Sequence, residues 1–115
     1  MTTYRELLAR TRAEISEIDA KGARAMDGAL WIDIRELEEW QEGHLPGAIH
    51  IPRGNLESRI ERAAPDKSQP IVLYCESANR TVFGARSLGE LGYENVYSLI
   101  GGFVYLYKTT AIPSP

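Results

Sequence analysis

The sequence predicts an α/β domain: a small parallel β-sheet flanked by helices on both faces, with an extra amphipathic helix at the N-terminus. Three observations predict it. Short apolar runs alternate with helix-forming segments, the rhythm of parallel strands joined by right-handed helical crossovers. One run, Ile71-Val72-Leu73-Tyr74-Cys75, carries no charge, as expected of a central strand covered on both faces. The 115 residues are 43% hydrophobic and 25% charged, a composition that folds around one core and lacks material for a second.

Taken in order, Tyr4, Leu7, Leu8, Ile15 and Ile18 share one helical face, with offsets of three, four, eleven and fourteen from the first. Residues 1–17 are therefore expected as a helix packing on a domain that spans 18–110, and the charges between the apolar positions read as a solvated face. After the turn signal Asp27-Gly28, the run Ala29 to Ile34 suits a buried strand. Arg35 to Gln41 is rich in helix formers and closes at Gly43, an expected left-handed C-terminal position. His44-Leu45-Pro46-Gly47 reads as a turn and Ala48 to Ile51 as a short strand ended by Pro52.

Asn55 is placed to cap a helix through Ala64 that turns Leu56 and Ile60 inward, before Pro65-Asp66 breaks it. Pro70 opens the uncharged run. From Arg80 the pattern is helical through Val82, Phe83, Ala85, Leu88 and Leu91 to Gly92, and Asn95 to Leu99 supplies another strand. Gly101-Gly102 starts a short helical stretch through Tyr107, and residues 111–115 read as a loose tail.

Composition excludes several function classes. Thirteen Lys+Arg against sixteen Asp+Glu leave a net charge of −3, without the basic footprint that holds a polyphosphate backbone, so nucleic acid is not an expected partner. A single cysteine allows no intramolecular disulfide and no thiolate-rich zinc site. Charged residues punctuate the first twenty-one positions from Arg5 to Lys21. No signal-peptide core or membrane span is therefore expected, and the protein reads as cytoplasmic.

Chemistry concentrates at Cys75. In open α/β sheets ligands bind beyond the carboxyl ends of the strands, where loops lead into helix N-termini. The stretch Cys75-Glu76-Ser77-Ala78-Asn79-Arg80 is expected to wrap its amides round a small anion, with the positive end of the next helix aimed at the same point. A thiolate or persulfide on Cys75 is that anion, so Cys75 is the candidate nucleophile. Inert packing competes, because free cysteine is among the most buried residue types. Four small or polar residues and an arginine after the cysteine argue for the reactive reading. It requires the sulfur to lie exposed on the floor of a ring of inward-pointing N–H groups. Aliphatic walls, or peptide oxygens turned toward it, would overturn the sulfur-carrier reading and leave only the fold.

Other polar residues have economical structural readings. Asp33 and Arg35 flank a strand end and suit a buried ion pair, with pocket lining and attraction of an anionic substrate as the alternative for Arg35. His44 and His50 fit scaffold hydrogen bonds better than catalysis, and their spacing is not a metal motif. Tyr105 and Tyr107 read as core or rim aromatics. Arg53 and Arg59 could receive an acidic tail of a partner protein.

Five pieces in order resemble the single-domain rhodaneses, a sulfurtransferase family: Trp31 to Glu36, Glu42 to Pro52, Ile71 to Cys75 with Arg80-Thr81, Leu88 to Tyr97, and Leu99 to Phe103. The resemblance covers about Ile18 to about Tyr107. Ile51-Pro52-Arg53-Gly54 and Ala63-Ala64-Pro65-Asp66 are similar to rhodanese domains carried by adenylyltransferases that activate small sulfur-carrier proteins. The resemblance implies ping-pong transfer. Cys75 takes a sulfane sulfur from a small-molecule or protein-borne donor, holds it as a persulfide among the groups of Glu76, Ser77, Ala78, Asn79, Arg80 and Thr81, and passes it to a thiophilic acceptor. It implies no metal and no organic cofactor, and says nothing of the oligomeric state.

Related phosphate-ester hydrolases place one residue more between cysteine and arginine than the four found here, Glu76 to Asn79. A small phosphatase or arsenate reductase is therefore the weaker alternative. A non-catalytic module on the same fold is the stronger rival, because two residues depart from the family. Ala78 stands where glycine is common, and a left-handed residue with a Cβ costs roughly 1–2 kcal/mol. Glu76 puts a carboxylate beside the sulfur, opposing its ionisation and repelling thiosulfate, while Arg80 and the helix end pull the other way. The balance predicts a thiol that ionises more readily than free cysteine, with poor thiosulfate turnover. Leu106 and Tyr107 stand where the family tends to carry tryptophan.

Overall fold

The computed structural model describes residues 1–104; the readings for Tyr105, Leu106, Tyr107 and the tail lie outside the described residues. Its strands are β1 (Ser16–Ile18), β2 (Leu30–Asp33), β3 (Ile49–His50), β4 (Ile71–Tyr74) and β5 (Val96–Leu99), and its helices α1 (Tyr4–Arg12), α2 (Ala20–Arg24), α3 (Leu37–Glu42), α4 (Leu56–Ala63) and α5 (Asn79–Glu90). The strands form one parallel sheet in the order β1-β5-β4-β2-β3. The fold class is the predicted α/β.

The uncharged run is the middle strand, and all four of its residues are buried. Alternation along it makes two cores. Ile71 and Leu73 join Ile32, Leu56, Ile60, Ala85 and Leu88 on one face. Val72 and Tyr74 join Ala20, Ala23, Leu45 and Leu99 on the other. Leu56 and Ile60 are fully buried as predicted, which aims α4 at the first core. Gly84 on α5 lets that helix approach, since a Cβ there would lie 3.1 Å from Leu56 and 3.4 Å from Ile34.

The N-terminus departs from its expectation. Helix α1 stops at Arg12, and Ser16–Ile18 pairs with β5 as an edge strand, in register Ser16↔Tyr97 and Ile18↔Leu99. Ile15 and Ile18 therefore belong to no helical face. The sheet takes these residues because β5 would otherwise present an unpaired edge. Helix α1 starts on a capping box between Thr3 and Glu6, yet Tyr4 and Leu7 stay exposed and Thr11 is its buried residue. It is held by Tyr4 against Phe83, rings 6.1 Å apart, and by Arg86 donating to Glu14 at 2.9 Å beyond its end.

Smaller differences are local. Helix α2, absent from the sequence reading, is capped by Asp19, which accepts from the Gly22 amide at 2.7 Å. Asn55 ends a 3-10 turn, Arg53–Asn55, and starts α4 without a side-chain cap bond. Gly43 closes α3 at φ 149° and ψ 142°, extended on the positive-φ side and not left-handed helical. Among the described residues no helix is long and apolar enough to cross a membrane.

Candidate active site

Strand β4 ends at Tyr74 and α5 begins at Asn79, so residues 75–78 turn the chain at the carboxyl edge of the central strand. Ala78 has φ 76° and ψ 8°, the left-handed conformation expected to be costly for a residue with a Cβ, and among the described residues no other non-glycine has positive φ. It occupies the N-cap of α5 and has no side chain to cap with. The first amides of α5 are thus left without a cap acceptor.

The loop's carbonyls are tied off on one side. The Phe103 amide donates to the Cys75 carbonyl at 2.8 Å, and the Val104 amide to the Glu76 carbonyl at 3.2 Å. All the peptide bonds here are trans, so the N–H groups of Glu76 and Ser77 point opposite to those carbonyls, away from residues 102–104. Among the described residues the amides of Glu76, Ser77 and Ala78 donate to no backbone acceptor. Gly102, at φ +63°, makes this possible: a Cβ there would sit 2.5 Å from the Cys75 oxygen and 2.7 Å from the Glu76 oxygen. Gly102 of the Gly101-Gly102 pair in the sequence thus serves the cysteine loop.

The sulfur is not exposed as expected. Cys75 is 1% exposed and belongs to the first core with Leu73, Ala85 and Leu88, because strand parity carries its side chain to the α5 face. Its polar neighbour is Thr81, whose Oγ1 accepts from the thiol at 3.8 Å; that hydroxyl also lies 2.7 Å from Ser98 Oγ. One of the two adverse signs, apolar neighbours, is therefore present. Of the peptide oxygens, those of Cys75 and Glu76 are committed to residues 103 and 104.

Charged groups ring the loop in pairs. Arg80 donates to both carboxylate oxygens of Glu39, at 2.9 and 3.1 Å, so its charge is shared and not spent on the thiol alone. The Glu39 hydrogen bond holds the Arg80 pKa up, with smaller support from charge at Cys75, and the same bond holds Glu39 below its ordinary value. Arg35 donates from Nε and Nη2 to Asp33, the Nη2 bond being 2.8 Å, and also to the Gly43 carbonyl at 2.7 Å. Burial pulls its pKa down, but Asp33 outweighs burial and holds the guanidinium charged. The reading of Asp33 and Arg35 as a buried pair holds.

Arg35 also reaches the loop: its Nη1 is 3.7 Å from Glu76, and Phe103 lies over its guanidinium at 4.2 Å. A cleft of about 280 Å³ opens beside the loop between Arg35, Glu39, Glu42, Glu76 and Phe103. Glu39, Glu42 and Ser98 escaped the sequence reading; nothing local marks them, since Glu39 and Arg80 are 41 residues apart. Ser77 is exposed, and Asn79 opens α5 beside it. The histidines are scaffold: His50 Nε2 lies 2.7 Å from the Arg35 carbonyl, His44 Nδ1 lies 3.0 Å from that of Trp40, and both rings stack on Trp40. Arg53 is engaged by Glu57 at 2.8 Å.

A parallel sheet that delivers the chain's single cysteine into a tight strand-to-helix loop defines a class of small cysteine-loop domains. The chain belongs to the rhodanese-like domain family, whose profile matches residues 16–109. It is 37% identical over 90 residues to thiosulfate sulfurtransferase GlpE of Coxiella burnetii, covering 78% of this chain and 82% of that protein. It is 38% identical over 66 residues to thiosulfate sulfurtransferase PspE of Escherichia coli, covering 57% of this chain and 64% of PspE. A Rhodopseudomonas palustris protein of unknown function, described as a possible tyrosine phosphatase, has a solved structure that aligns with a TM-score of 0.82. That alignment covers 100% of this chain and 98% of its own at 22% identity, a likeness of fold alone.

Proposed function

We propose that the chain is a sulfurtransferase that carries sulfane sulfur as a persulfide on Cys75. The observation that carries this reading is the loop's polarity. The carbonyls of Cys75 and Glu76 are held by the amides of Phe103 and Val104, so the opposing amides and the uncapped start of α5 are left for an anion at the cysteine. The thiolate attacks the outer sulfur of a donor, forming an S–S bond as the donor's own S–S bond breaks. With thiosulfate the bonding electrons leave on sulfite, and the enzyme keeps Cys75–S–S⁻. A thiolate acceptor then attacks the outer sulfur, and Cys75 regains the electron pair as thiolate.

The charges around the cleft select the donor. Two guanidiniums, Arg35 and Arg80, face Asp33, Glu39, Glu42 and Glu76, and both cations are already paired. A dianionic donor meets net negative charge there, so thiosulfate is a poor substrate, and a protein-borne persulfide in the cytoplasm, with at most one charge at its reacting end, is the better one. Relatives that bear the thiosulfate sulfurtransferase name support the reaction class. One observation favours a second reading, a non-catalytic module: the 1% exposure of Cys75.

Intact mass after incubation with thiosulfate, polysulfide or a persulfidated cysteine desulfurase separates the readings. The sulfurtransferase gains one sulfur, loses it to cyanide or dithiothreitol, and gains none as Cys75→Ser. A module gains none in any form, and a phosphatase cleaves an aryl phosphate instead. Glu76→Ala is expected to speed thiosulfate loading several-fold; an unchanged rate would remove the electrostatic account of selectivity.

A further inference from the structure

Cys75, Thr81 and Ser98 form a file of polar atoms inside the first core, with Sγ···Oγ1 at 3.8 Å and Oγ1···Oγ at 2.7 Å. Thr81 and Ser98 are 0% exposed. Ser98 lies on β5 beside Leu73 of β4, two residues from Val96, which packs on the apolar core. A hydroxyl among such side chains is costly unless it is bonded. Thr81 is the third residue of α5, and the carbonyl of the N-cap residue Ala78, three positions back, is another acceptor that a threonine there can use. The serine therefore calls for a reason outside packing.

We propose that Ser98 is a positioning residue that lets the Thr81 hydroxyl turn its proton to the Cys75 sulfur whenever that sulfur is charged. The inference rests on the sulfur-carrier reading. Each hydroxyl has one proton and two lone pairs. While Cys75 is a thiol, its S–H donates to Thr81 Oγ1 and Thr81 donates to Ser98 Oγ. Once the thiol proton has left to solvent, Thr81 donates to the thiolate and Ser98 reverses, donating to Thr81 Oγ1. Two hydroxyl hydrogens rotate, no heavy atom moves, and neither hydroxyl loses its proton. The second arrangement contains a charge-assisted bond, the stronger kind. Without the serine oxygen, Thr81 is free to turn its proton to the Ala78 carbonyl at the N-cap, and the charged sulfur loses a donor.

The charged groups around this file stay in place when residue 98 changes. Glu76 and Arg80 flank the loop, with Arg80 tied to Glu39. Arg35 and Asp33 form their own pair on β2. Glu17, beside Ser98 in the β1 register, is engaged by Arg12 at 3.3 Å.

The chain has one cysteine, so ultraviolet absorbance against a Cys75→Ser blank follows that thiolate alone. Ser98→Ala is expected to lower the thiolate-to-thiol ratio at a given pH roughly tenfold, and to carry the pH profile of sulfur loading with it. Ser98→Thr and Ser98→Val are nearly equal in shape and differ in the hydroxyl, which guards against a misfolded alanine variant. The threonine variant is expected to titrate as the parent does and the valine variant as Ser98→Ala does. Equal titration of the threonine and valine variants, or no change in Ser98→Ala, overturns the proposal. A parent protein that never gains sulfur would instead remove the carrier reading, while its thiolate titration would still report on the hydroxyl file.

Discussion

Arg35 is the residue on which the site rests. Its guanidinium, 3% exposed, meets a fully buried Asp33 carboxylate, the Gly43 carbonyl, the Phe103 ring and the Glu76 side chain. It thereby joins β2, the end of α3, the cysteine loop and the turn at 102–104. Removing one member of a buried ion pair leaves the other charged and unsolvated, at a cost of about 3–5 kcal/mol. Arg35→Met is therefore expected to lose that much in urea unfolding. Asp33→Asn with Arg35→Met, which leaves no buried charge, should recover part of the loss. The Asp33–Arg35 partnership was legible in the sequence because the two are neighbours at a strand end; the reach of Arg35 to Gly43 and Phe103 was not, because it depends on how distant segments meet.

At the scale of elements, the cysteine loop and the turn at 101–104 are a matched pair. Both use positive φ, at Ala78 in one and at Gly101 and Gly102 in the other, but their surroundings differ. Ala78 bears strain of roughly 1–2 kcal/mol that glycine would relieve, against the methyl and chain entropy that glycine gives up. Ala78→Gly is expected to change unfolding free energy by less than about 1 kcal/mol, whereas Ala85→Gly within the same helix should cost more than about 1 kcal/mol. Gly102→Ala has no such relief, because its Cβ would strike backbone atoms of Cys75 and Glu76. It is expected to destabilise by about 2 kcal/mol or more and to slow sulfur loading, both readable on the same purified protein.

The whole molecule is stapled at its surface by carboxylates held below their ordinary values. Hydrogen bonds from Arg80 lower Glu39, and those of the Thr3 cap lower Glu6. Burial pushes Glu57 up, but its own backbone amide and Arg53 outweigh burial and lower it. A carboxylate depressed on folding adds stability that is complete above its unfolded value and is lost as pH falls through its folded one. Stability is thus expected to be level above the ordinary glutamate value of 4.5 and to decline with acid below it. Thermal melts across that range check this, and Glu39→Gln should flatten part of the decline. The Glu39–Arg80 bridge joins α3 to α5, so its loss in acid loosens the entrance to the cleft as well.

Local pattern was enough to place the central strand, the helix after it and the cysteine between them, because an uncharged run followed by small polar residues and then a helical period is written into consecutive positions. The same holds for Leu56 and Ile60, one helical turn apart and both fully buried. Ser16–Ile18 carries no such mark; those three residues are a strand because β5 offers an edge eighty-one positions away in sequence, and short-range periodicity cannot see that offer. The burial of Cys75, the diversion of Arg80 to Glu39 and the hydroxyl of Ser98 behind Thr81 belong to the same category. Each is a meeting of segments far apart along the chain, created when the sheet and its covering helices close.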